Sequence, residues 1–358
     1  MKEFWSSRIR DMVPYTPGEQ PKDRTFIKLN TNENPYPPAP RALEAAKQAV
    51  GEGLRLYPDP EAGQLRAALA AYHGVKAEQI FVGNGSDEVL AFCFQGLFDP
   101  ARAICFPDIS YSFYPVYAGL FGIPYREIPL REDFTIPVEE FLGNNGGVIL
   151  PNPNAPTGIA LPLAEVERLA AGNPTAAVVV DEAYVDFGTE SALSLLDRYP
   201  NLLVVRTMSK SRSLAGMRVG YAVGSPNLIA ALNCVKNSFN SYTLDRIALA
   251  AAQGSVEDEA YFQENRRRIM DTREKTAAAL EKLGFRVCPS QANFLFVSHP
   301  ERGGKELLDT LRAQGILVRW WGKPRIEDYL RITIGTEEEM EQLIQVLRQT
   351  LGRDKAQK

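Results

Sequence analysis

The sequence has few of the residues from which metal sites and hydrolytic triads are usually built. Only two histidines occur among 358 residues, and both His73 and His299 stand in turn-like stretches. Zinc sites draw mainly on histidine and cysteine, and a Ser-His-Asp triad needs a histidine as its base. We therefore expect neither a bound metal nor such a hydrolase.

Cysteine is scarce as well, and its spacing matches neither a metal-binding nor a redox motif. The four cysteines lie far apart in apolar stretches and form no CxxC pair; they are Cys93, Cys105, Cys234 and Cys288. This pattern predicts buried free thiols in a reducing cytoplasm.

The chain also lacks an excess of positive charge and any long apolar run. Its formal net charge is -4, whereas affinity for a phosphate backbone requires a basic surface. The first residues, MKEFWSSRIRDMVPY, are too often charged for the apolar core of a signal peptide, and no later run approaches a membrane span. We expect a cytoplasmic protein without nucleic-acid or membrane partners.

What the sequence does contain is a regular alternation of short apolar strands and helical stretches. Strands are predicted in QIFVGNG, GGVILPNP, TAAVVVDEAY and NLLVVRTMSK, and helices in SDEVLAFCFQGLF, LPLAEVERLAAG and SALSLLDRY. Such alternation is typical of an α/β protein with a parallel sheet that is covered on both faces. Ligands bind at the carboxyl ends of such strands, where Asn84, Asn152, Asp181, Tyr184, Ser209 and Lys210 are expected.

After Ser255 the pattern changes. A charged helix is predicted over residues 257–283, ended by Gly284, and a second one near Lys305 to Gln314. Strand-like stretches lie in FRVCPSQANFLFV, ILVRWW and YLRITIG, and a final helix follows them. This part is predicted to form a smaller α+β domain.

One loop is suited to bind a phosphate. GNGSDE follows a strand and opens a helix, which leaves the amides of Gly85, Ser86 and Asp87 free at the positive end of the helix dipole. By itself such a loop is more often a tight glycine turn in which Ser86 or Asp87 caps the helix. Ser209 and Arg218, in SKSRSLAGMR, offer a second set of anion ligands.

An acid, a lysine and an aromatic residue complete a set that one flat phosphorylated ligand could touch. Asp181 ends the apolar run AAVVV, and read alone it is either a helix cap or a partner of Lys210. Pyridoxal phosphate needs a lysine for its aldehyde and an anion for its ring nitrogen. Lys210 and Asp181 would fill these roles, with Tyr111 beside them. Lys210 would then move the α-proton, and burial would lower its pKa from the ordinary ~10.4.

Seven motifs, in order along nearly the whole chain, make the sequence resemble one family. They are KLNTNENPYPP, LYPDP, GNGSDE, NPNAPTG, DEAYVDF, SKSRSLAGMRVGY and LRITIGT. They closely resemble the histidinol-phosphate aminotransferases, which have the aspartate aminotransferase-like fold. The resemblance implies a large domain with a mainly parallel sheet covered by helices, predicted over 46–255. The smaller α+β domain would comprise 1–45 and 256–358.

The resemblance also implies a role for individual residues. Lys210 would bind the cofactor aldehyde, Asp181 its ring nitrogen and Tyr184 its ring hydroxyl, while Tyr111 would stack on the ring. The cofactor phosphate would meet the amides of Gly85, Ser86 and Asp87, the Ser209 hydroxyl and Arg218. Tyr57 of LYPDP would reach that phosphate from the other subunit of a homodimer. Arg319, Arg331 and Tyr15 would bind the phosphate of histidinol phosphate.

Two positions depart from the family pattern. Ala155 stands where family members usually have the asparagine that binds the ring hydroxyl, so Asn154 or Tyr184 covers that hydroxyl, or the hydrogen bond is absent. Paired tryptophans, Trp320 and Trp321, follow the first substrate arginine. They either line the ring pocket or serve packing.

The expected activity is transfer of an amino group between histidinol phosphate and 2-oxoglutarate. The alternatives are an aromatic amino acid aminotransferase and an enzyme similar to threonine phosphate decarboxylase. A regulatory module that kept the fold and lost turnover is a further alternative, against which the intact Lys210, Asp181, Arg218 and Arg331 argue.

Overall fold

The computed structural model describes residues 3–22, 24–143 and 145–355. Its α-helices are, in chain order, α1 Ser7–Arg10, α2 Pro40–Ala49, α3 Gly63–His73, α4 Gly85–Leu97, α5 Tyr114–Phe121, α6 Leu163–Gly172, α7 Pro226–Phe239, α8 Arg246–Val256, α9 Glu259–Lys282, α10 Gly304–Ala313 and α11 Glu337–Lys355. Its strands are β1 Ile27–Lys28, β2 Ile80–Asn84, β3 Ile104–Pro107, β4 Tyr125–Ile128, β5 Val148–Pro151, β6 Val178–Asp181, β7 Leu202–Thr207, β8 Val219–Gly224, β9 Arg286–Val287, β10 Phe294–Ser298, β11 Ile316–Leu317, β12 Arg319–Trp320 and β13 Tyr329–Thr333.

The largest sheet has seven strands in the order β2-β8-β7-β6-β5-β3-β4. Pairing is parallel from β7 through β4. Strand β8 runs antiparallel to both of its neighbours, β2 and β7. The carboxyl ends of β2 to β7 therefore meet at one edge, and β8 begins at that same edge. The predicted mainly parallel sheet is confirmed, with one reversed strand.

Helices cover both faces of this sheet, as the apolar runs predicted. Side chains alternate between the faces of a strand, so Val178 and Val180 belong to one buried cluster with α2, α3, α6 and α8. Val179 between them belongs to a second cluster with α4, α5 and α7. All four residues of β6 are buried. A strand that is apolar on both sides can exist only between two helical layers.

The rest of the chain builds a smaller α+β part. Four antiparallel strands stand in the order β12-β13-β10-β9, and β1 pairs with β11 in parallel. Helices α9, α10 and α11 pack here around a third cluster that includes Leu29, Ile269, Phe294 and Leu343. The predicted helix 257–283 is confirmed as α9, which is followed by Gly284 at φ 91°.

The domain division at residues 45/46 stays a prediction. Helix α2 runs without a break across that point, and its buried Ala42 and Ala46 belong to the cluster of the large sheet. The third cluster also contains Ala155, Tyr184 and Phe187 from the loops of the large sheet. The two parts thus share a packed boundary.

Three local expectations were wrong in part. SALSLLDRY forms only a single 3-10 turn, Ala192–Leu195, because the Glu182 carboxylate accepts from the Ala192 amide and the Ser191 hydroxyl and fixes the start of the segment. Cys93 and Cys105 are buried, but Cys234 is exposed on α7 and Cys288 is partly exposed. His73 ends helix α3 and hydrogen-bonds the Tyr221 hydroxyl at 2.9 Å.

Among the described helices, none is both long enough and apolar enough to cross a membrane.

Candidate active site

A cavity of about 380 Å³ lies at the edge where the strands of the large sheet end. Its wall is formed by the segments that follow β2, β3, β5, β6 and β7, by Arg218 just before β8, and by residues of β12 and β13. The reversal of β8 explains the position of Arg218, since the amino end of an antiparallel strand lies beside the carboxyl ends of its neighbours. The cavity therefore lies between the two parts of the fold.

Lys210 is held at this wall by contacts with the N-terminal part of the chain. Its ammonium donates to the Thr31 carbonyl at 3.1 Å, and the Asn34 amide donates to the Lys210 carbonyl at 3.0 Å. Burial, and then the positive charge of Arg331, lower the pKa of Lys210 to about 8. A larger share of the amine is therefore neutral near pH 7 than for an ordinary lysine.

Asp181 is the last residue of β6 and is only 4% exposed. Its carboxylate accepts from the Tyr114 hydroxyl and from the Ala183 amide, both at 3.2 Å. Burial raises the pKa of Asp181 to about 7. Within the described residues it forms no ion pair with Lys210 or any other cation. A buried acid at a cavity wall without a cationic partner is suited to a ligand that brings the positive charge.

The loop GNGSDE begins helix α4, as predicted. Gly85 opens the helix at φ 79°, and a Cβ on Gly220 would lie 2.3 Å from the Ser86 amide nitrogen. Strand β8 thus passes directly against the helix N-terminus, which only a glycine permits. The amides of Gly85, Ser86 and Asp87 stand at the positive end of the dipole, and Ser86, Asp87 and Ser209 line the same cavity.

Arg218 reaches this helix end from a left-handed backbone position, φ 54°. One guanidinium nitrogen pairs with the Asp87 carboxylate at 3.1 Å, and the other oxygen of that carboxylate accepts from the Tyr111 hydroxyl at 2.7 Å. Arg218, Asp87 and Tyr111 therefore form one connected group. The Asp87 side chain orients both Arg218 and Tyr111. The sequence had predicted a role only for the Asp87 amide, as a phosphate ligand.

The structure brings Tyr184 to the cavity and places Asn154 elsewhere. The Tyr184 hydroxyl accepts from the Asn32 amide at 2.9 Å. The Asn154 amide donates to the Ile109 carbonyl and the Thr157 hydroxyl, and the residue lines a neighbouring cavity instead. Whether Asn154 covers a ring hydroxyl stays a prediction: its amide nitrogen is engaged in the loop, whereas its buried Oδ1 has no partner among the described residues. Ala155 lines the main cavity in its place.

Two arginines from the smaller part of the fold also line the cavity. Arg319 of β12 and Arg331 of β13 stand directly opposite each other in the antiparallel pair. Arg319 donates to the carbonyls of Thr16 and Pro17 at 3.0 and 3.3 Å, and Arg331 donates to the Asn30 carbonyl at 3.1 Å. In the part of the chain that the structure describes, neither forms an ion pair with a carboxylate, and the buried Nε of Arg331 has no partner.

Burial lowers the pKa of Arg331, and the positive charge of Arg319 adds to the effect. Tyr15 lines the same wall and stacks on Phe113 with a centroid distance of 4.2 Å. Two arginines whose charge is not neutralised by acids make this wall suited to bind an anion.

Tyr57 lies outside the cavity. Its side chain is 76% exposed and stacks on Tyr242 at a centroid distance of 4.5 Å. Within one chain it therefore contacts none of the other predicted phosphate ligands.

Several residues at the site escaped the sequence analysis. Tyr114 contacts Asp181, Asn32 contacts Tyr184, and Thr31 contacts Lys210. For Asn32 and Thr31 a signal was available, since both lie in the TNENPYPP motif. The contact of Tyr114 with Asp181 joins α5 to β6, and no local sequence pattern predicts it.

One cavity wall thus combines the start of helix α4 with Ser209 and Arg218, the uncompensated acid Asp181 and an amine of lowered pKa, Lys210. This arrangement is suited to a flat ligand that carries a phosphate and a protonated ring nitrogen. Arg319 and Arg331 line the same cavity.

Comparison with known proteins gives the following results. Residues 24–347 match the family described as Aminotransferase class I and II. The chain is 55% identical over 347 residues to histidinol-phosphate aminotransferase 1 of Pseudomonas aeruginosa, which covers 97% of this chain and 99% of that protein. The crystal structure of histidinol-phosphate aminotransferase from Sinorhizobium meliloti in complex with pyridoxal-5'-phosphate is similar with a TM-score of 0.84 and 26% identity, over 92% of each chain.

A tetra mutant of the aspartate aminotransferase of Thermus thermophilus shares the fold at 21% identity, with a TM-score of 0.81 over 96% of this chain and 98% of that one. The predicted aspartate aminotransferase-like α/β fold is thereby confirmed.

Proposed function

Because the chain belongs to the class I and II aminotransferases, and within them to the histidinol-phosphate aminotransferases, we propose that it exchanges an amino group between histidinol phosphate and 2-oxoglutarate with pyridoxal 5'-phosphate as cofactor. The reaction belongs to histidine biosynthesis and yields imidazole acetol phosphate and glutamate.

The residues of the cavity fit this cofactor. The amides of Gly85, Ser86 and Asp87, with Ser209 and Arg218, would hold its phosphate, and the uncompensated Asp181 would hold its ring nitrogen. Tyr184, fixed by Asn32, would donate to the ring hydroxyl, and Tyr111 would stack on the ring. When bound, the cofactor supplies an electron sink for the substrate α-carbon.

Lys210 is the group that moves the proton. Its Nζ is the amine with the lowered pKa in the cavity, so it can take a proton from the α-carbon and return it at the neighbouring position. The Thr31 carbonyl, which accepts from this ammonium in the structure, would hold Nζ at the cavity wall between the two transfers.

The observation that carries the choice of substrate is the pair Arg319 and Arg331. Two guanidiniums without a neutralising acid, one of them with an unpartnered buried Nε, suit a phosphate dianion, whereas a single carboxylate needs one arginine. Tyr15 offers a further donor at the same wall. The same wall would accept a carboxylate of 2-oxoglutarate when that substrate replaces the first.

The test is the substitution Arg319→Ala. We expect kcat/KM for histidinol phosphate to fall by about 10- to 100-fold, since a charge-assisted hydrogen bond is worth roughly 1.5–3 kcal/mol. An amino acid held by Arg331 alone should lose much less. The exposed Lys323→Ala removes one nearby positive charge outside the cavity and serves as the control. Equal losses for both substrates would make Arg319 structural and contradict the phosphorylated substrate.

We also propose that the active unit is a homodimer in which Tyr57 reaches the cofactor phosphate of the partner. The support is the exposure of Tyr57 on a surface with Leu54, Leu56 and Tyr242, which are 50%, 51% and 43% exposed. An exposed apolar patch of this kind is typical of a subunit interface. A cytoplasmic location is proposed from the free cysteines together with the biosynthetic reaction.

A further inference from the structure

Trp321 occupies a position that neither the cofactor nor the arginine assignments explain. It follows strand β12 directly and lines the cavity beside Arg319 and Arg331. The Cζ of Arg319 lies 5.5 Å from the centroid of its ring, and the Cζ of Arg331 lies 5.2 Å from it. One indole therefore contacts both cations of the anion site.

The strand geometry explains this placement. Successive side chains of a strand point to opposite faces, so Arg319 and Trp321 share one face and Trp320 takes the other. Arg331 stands directly opposite Arg319, which places it diagonally from Trp321 and within reach of an aromatic side chain. Trp320 instead donates to the Glu327 carbonyl at 2.7 Å and packs against the cluster of the smaller part of the fold. The two neighbouring tryptophans thus have different roles.

The electrostatic situation of the arginines shows what Trp321 contributes. Holding the partly buried Arg319 next to the guanidinium of Arg331, whose Nε is buried, is unfavourable unless something compensates the two like charges. A carboxylate would neutralise them and repel an incoming anion. An aromatic face attracts a cation and carries no net charge, so the guanidiniums keep their charge for a ligand. The ring of Phe294 offers a second aromatic face to Arg331, whose Cζ lies 5.3 Å from the Phe294 ring centroid. Trp321 offers an aromatic face to both Arg319 and Arg331.

We propose that Trp321 is a positioning residue that holds Arg319 and Arg331 together as one dianion site and so sets the preference for a phosphate over a carboxylate. The inference rests on the proposed function in that it takes the phosphate of the substrate as the dianion. It assigns the discrimination to a neutral aromatic residue next to the arginines, and not to the arginines alone.

The experiment measures binding, independently of turnover. Dissociation constants of inorganic phosphate and of glutarate, a dicarboxylate that does not react, are determined by titration calorimetry on the cofactor-loaded protein. The variants are Trp321→Leu, Trp321→Phe and, as matched control, Trp320→Leu. We expect Trp321→Leu to weaken phosphate about tenfold and glutarate by no more than about threefold, because the loss of the aromatic face affects chiefly the ligand that needs both arginines. Trp321→Phe keeps a smaller face and should restore most of the preference.

A structural role alone would give a different pattern. If Trp321→Leu and Trp320→Leu changed the phosphate-to-glutarate ratio equally, or if Trp321→Leu left the ratio unchanged, the inference would be overturned. Failure of the wild-type protein to convert histidinol phosphate, with the phosphate-specific loss in Trp321→Leu intact, would overturn the substrate assignment and leave the role of Trp321 supported. The two failures are therefore distinguishable.

Discussion

Asp181 offers a quantitative test of the site that does not depend on turnover. In the cofactor-free protein its carboxyl is buried without a cation, and burial raises its pKa from 3.8 to about 7. Between pH 3.8 and about pH 7 the Asp181 carboxyl is therefore protonated in the native state and ionised in the unfolded chain. Stability therefore falls as the pH rises from about 4 to 7, and the full loss is present above pH 7.

The magnitude follows from the same values. One pKa unit corresponds to about 1.4 kcal/mol, so the whole span amounts to about 4 kcal/mol, and about 3 kcal/mol of it falls between pH 5 and pH 8. Asp181→Asn is neutral throughout and lacks this contribution. The free energy of unfolding of Asp181→Asn, minus that of the wild type, should therefore rise by about 3 kcal/mol from pH 5 to pH 8.

Urea unfolding of both cofactor-free proteins at matched protein concentration measures this difference. Cofactor in excess supplies the missing positive charge. The free energy of unfolding of the loaded wild type should therefore depend much less on pH, and the cofactor should stabilise Asp181→Asn only a little. A difference that is flat with pH, or that falls as the pH rises, would refute the view of Asp181 as a buried acid waiting for a cation.

The remaining predictions concern the lysine, the subunit contact and the glycine beside the phosphate loop. Lys210→Ala should abolish turnover but keep the fold and noncovalent cofactor, and borohydride reduction of the wild type followed by peptide mapping should label Lys210 alone; a label on another lysine would contradict the assignment. Mixed dimers of Tyr57→Phe and Lys210→Ala subunits should contain one site free of both defects, so activity should rise above that of either parent, whereas unchanged activity would place Tyr57 outside the partner's site. Gly220→Ala would put its Cβ 2.3 Å from the Ser86 amide nitrogen, so the cofactor dissociation constant should rise about 5- to 150-fold, given about 1–3 kcal/mol for overpacking; an unchanged constant would show that the helix start can shift without loss.

The sequence predicted those parts of the fold that local periodicity encodes. The runs around β5, β6 and β7 are apolar on both faces and could only be strands between helical layers, which the structure confirms. The reversed direction of β8 was not predicted, because pairing direction depends on the connection and not on the strand's own residues. The short turn at Ala192–Leu195 was missed since its start is fixed by Glu182, a residue nine positions before Ser191.

The site was predictable as a set of residues and less so as a set of contacts. Lys210, Asp181, Arg218 and Arg331 lie at strand ends or in a specific motif, and all of them line the cavity. The hydrogen bond from Tyr114 to Asp181 spans 67 positions, and the one from Asn32 to Tyr184 spans 152. Such contacts arise from packing between elements. The Asn154 amide donates to Thr157 within its own motif and to the Ile109 carbonyl, which lies 45 positions earlier.

The most direct test of the central claim, a transaminase for a phosphorylated amino donor, is a titration of the purified cofactor-loaded protein with histidinol phosphate, glutamate, phenylalanine and threonine phosphate. The cofactor absorbance and the release of carbon dioxide are followed together. We expect histidinol phosphate and glutamate to convert the cofactor to its amine form without release of carbon dioxide. Conversion by phenylalanine and not by histidinol phosphate, or carbon dioxide from threonine phosphate, would contradict it.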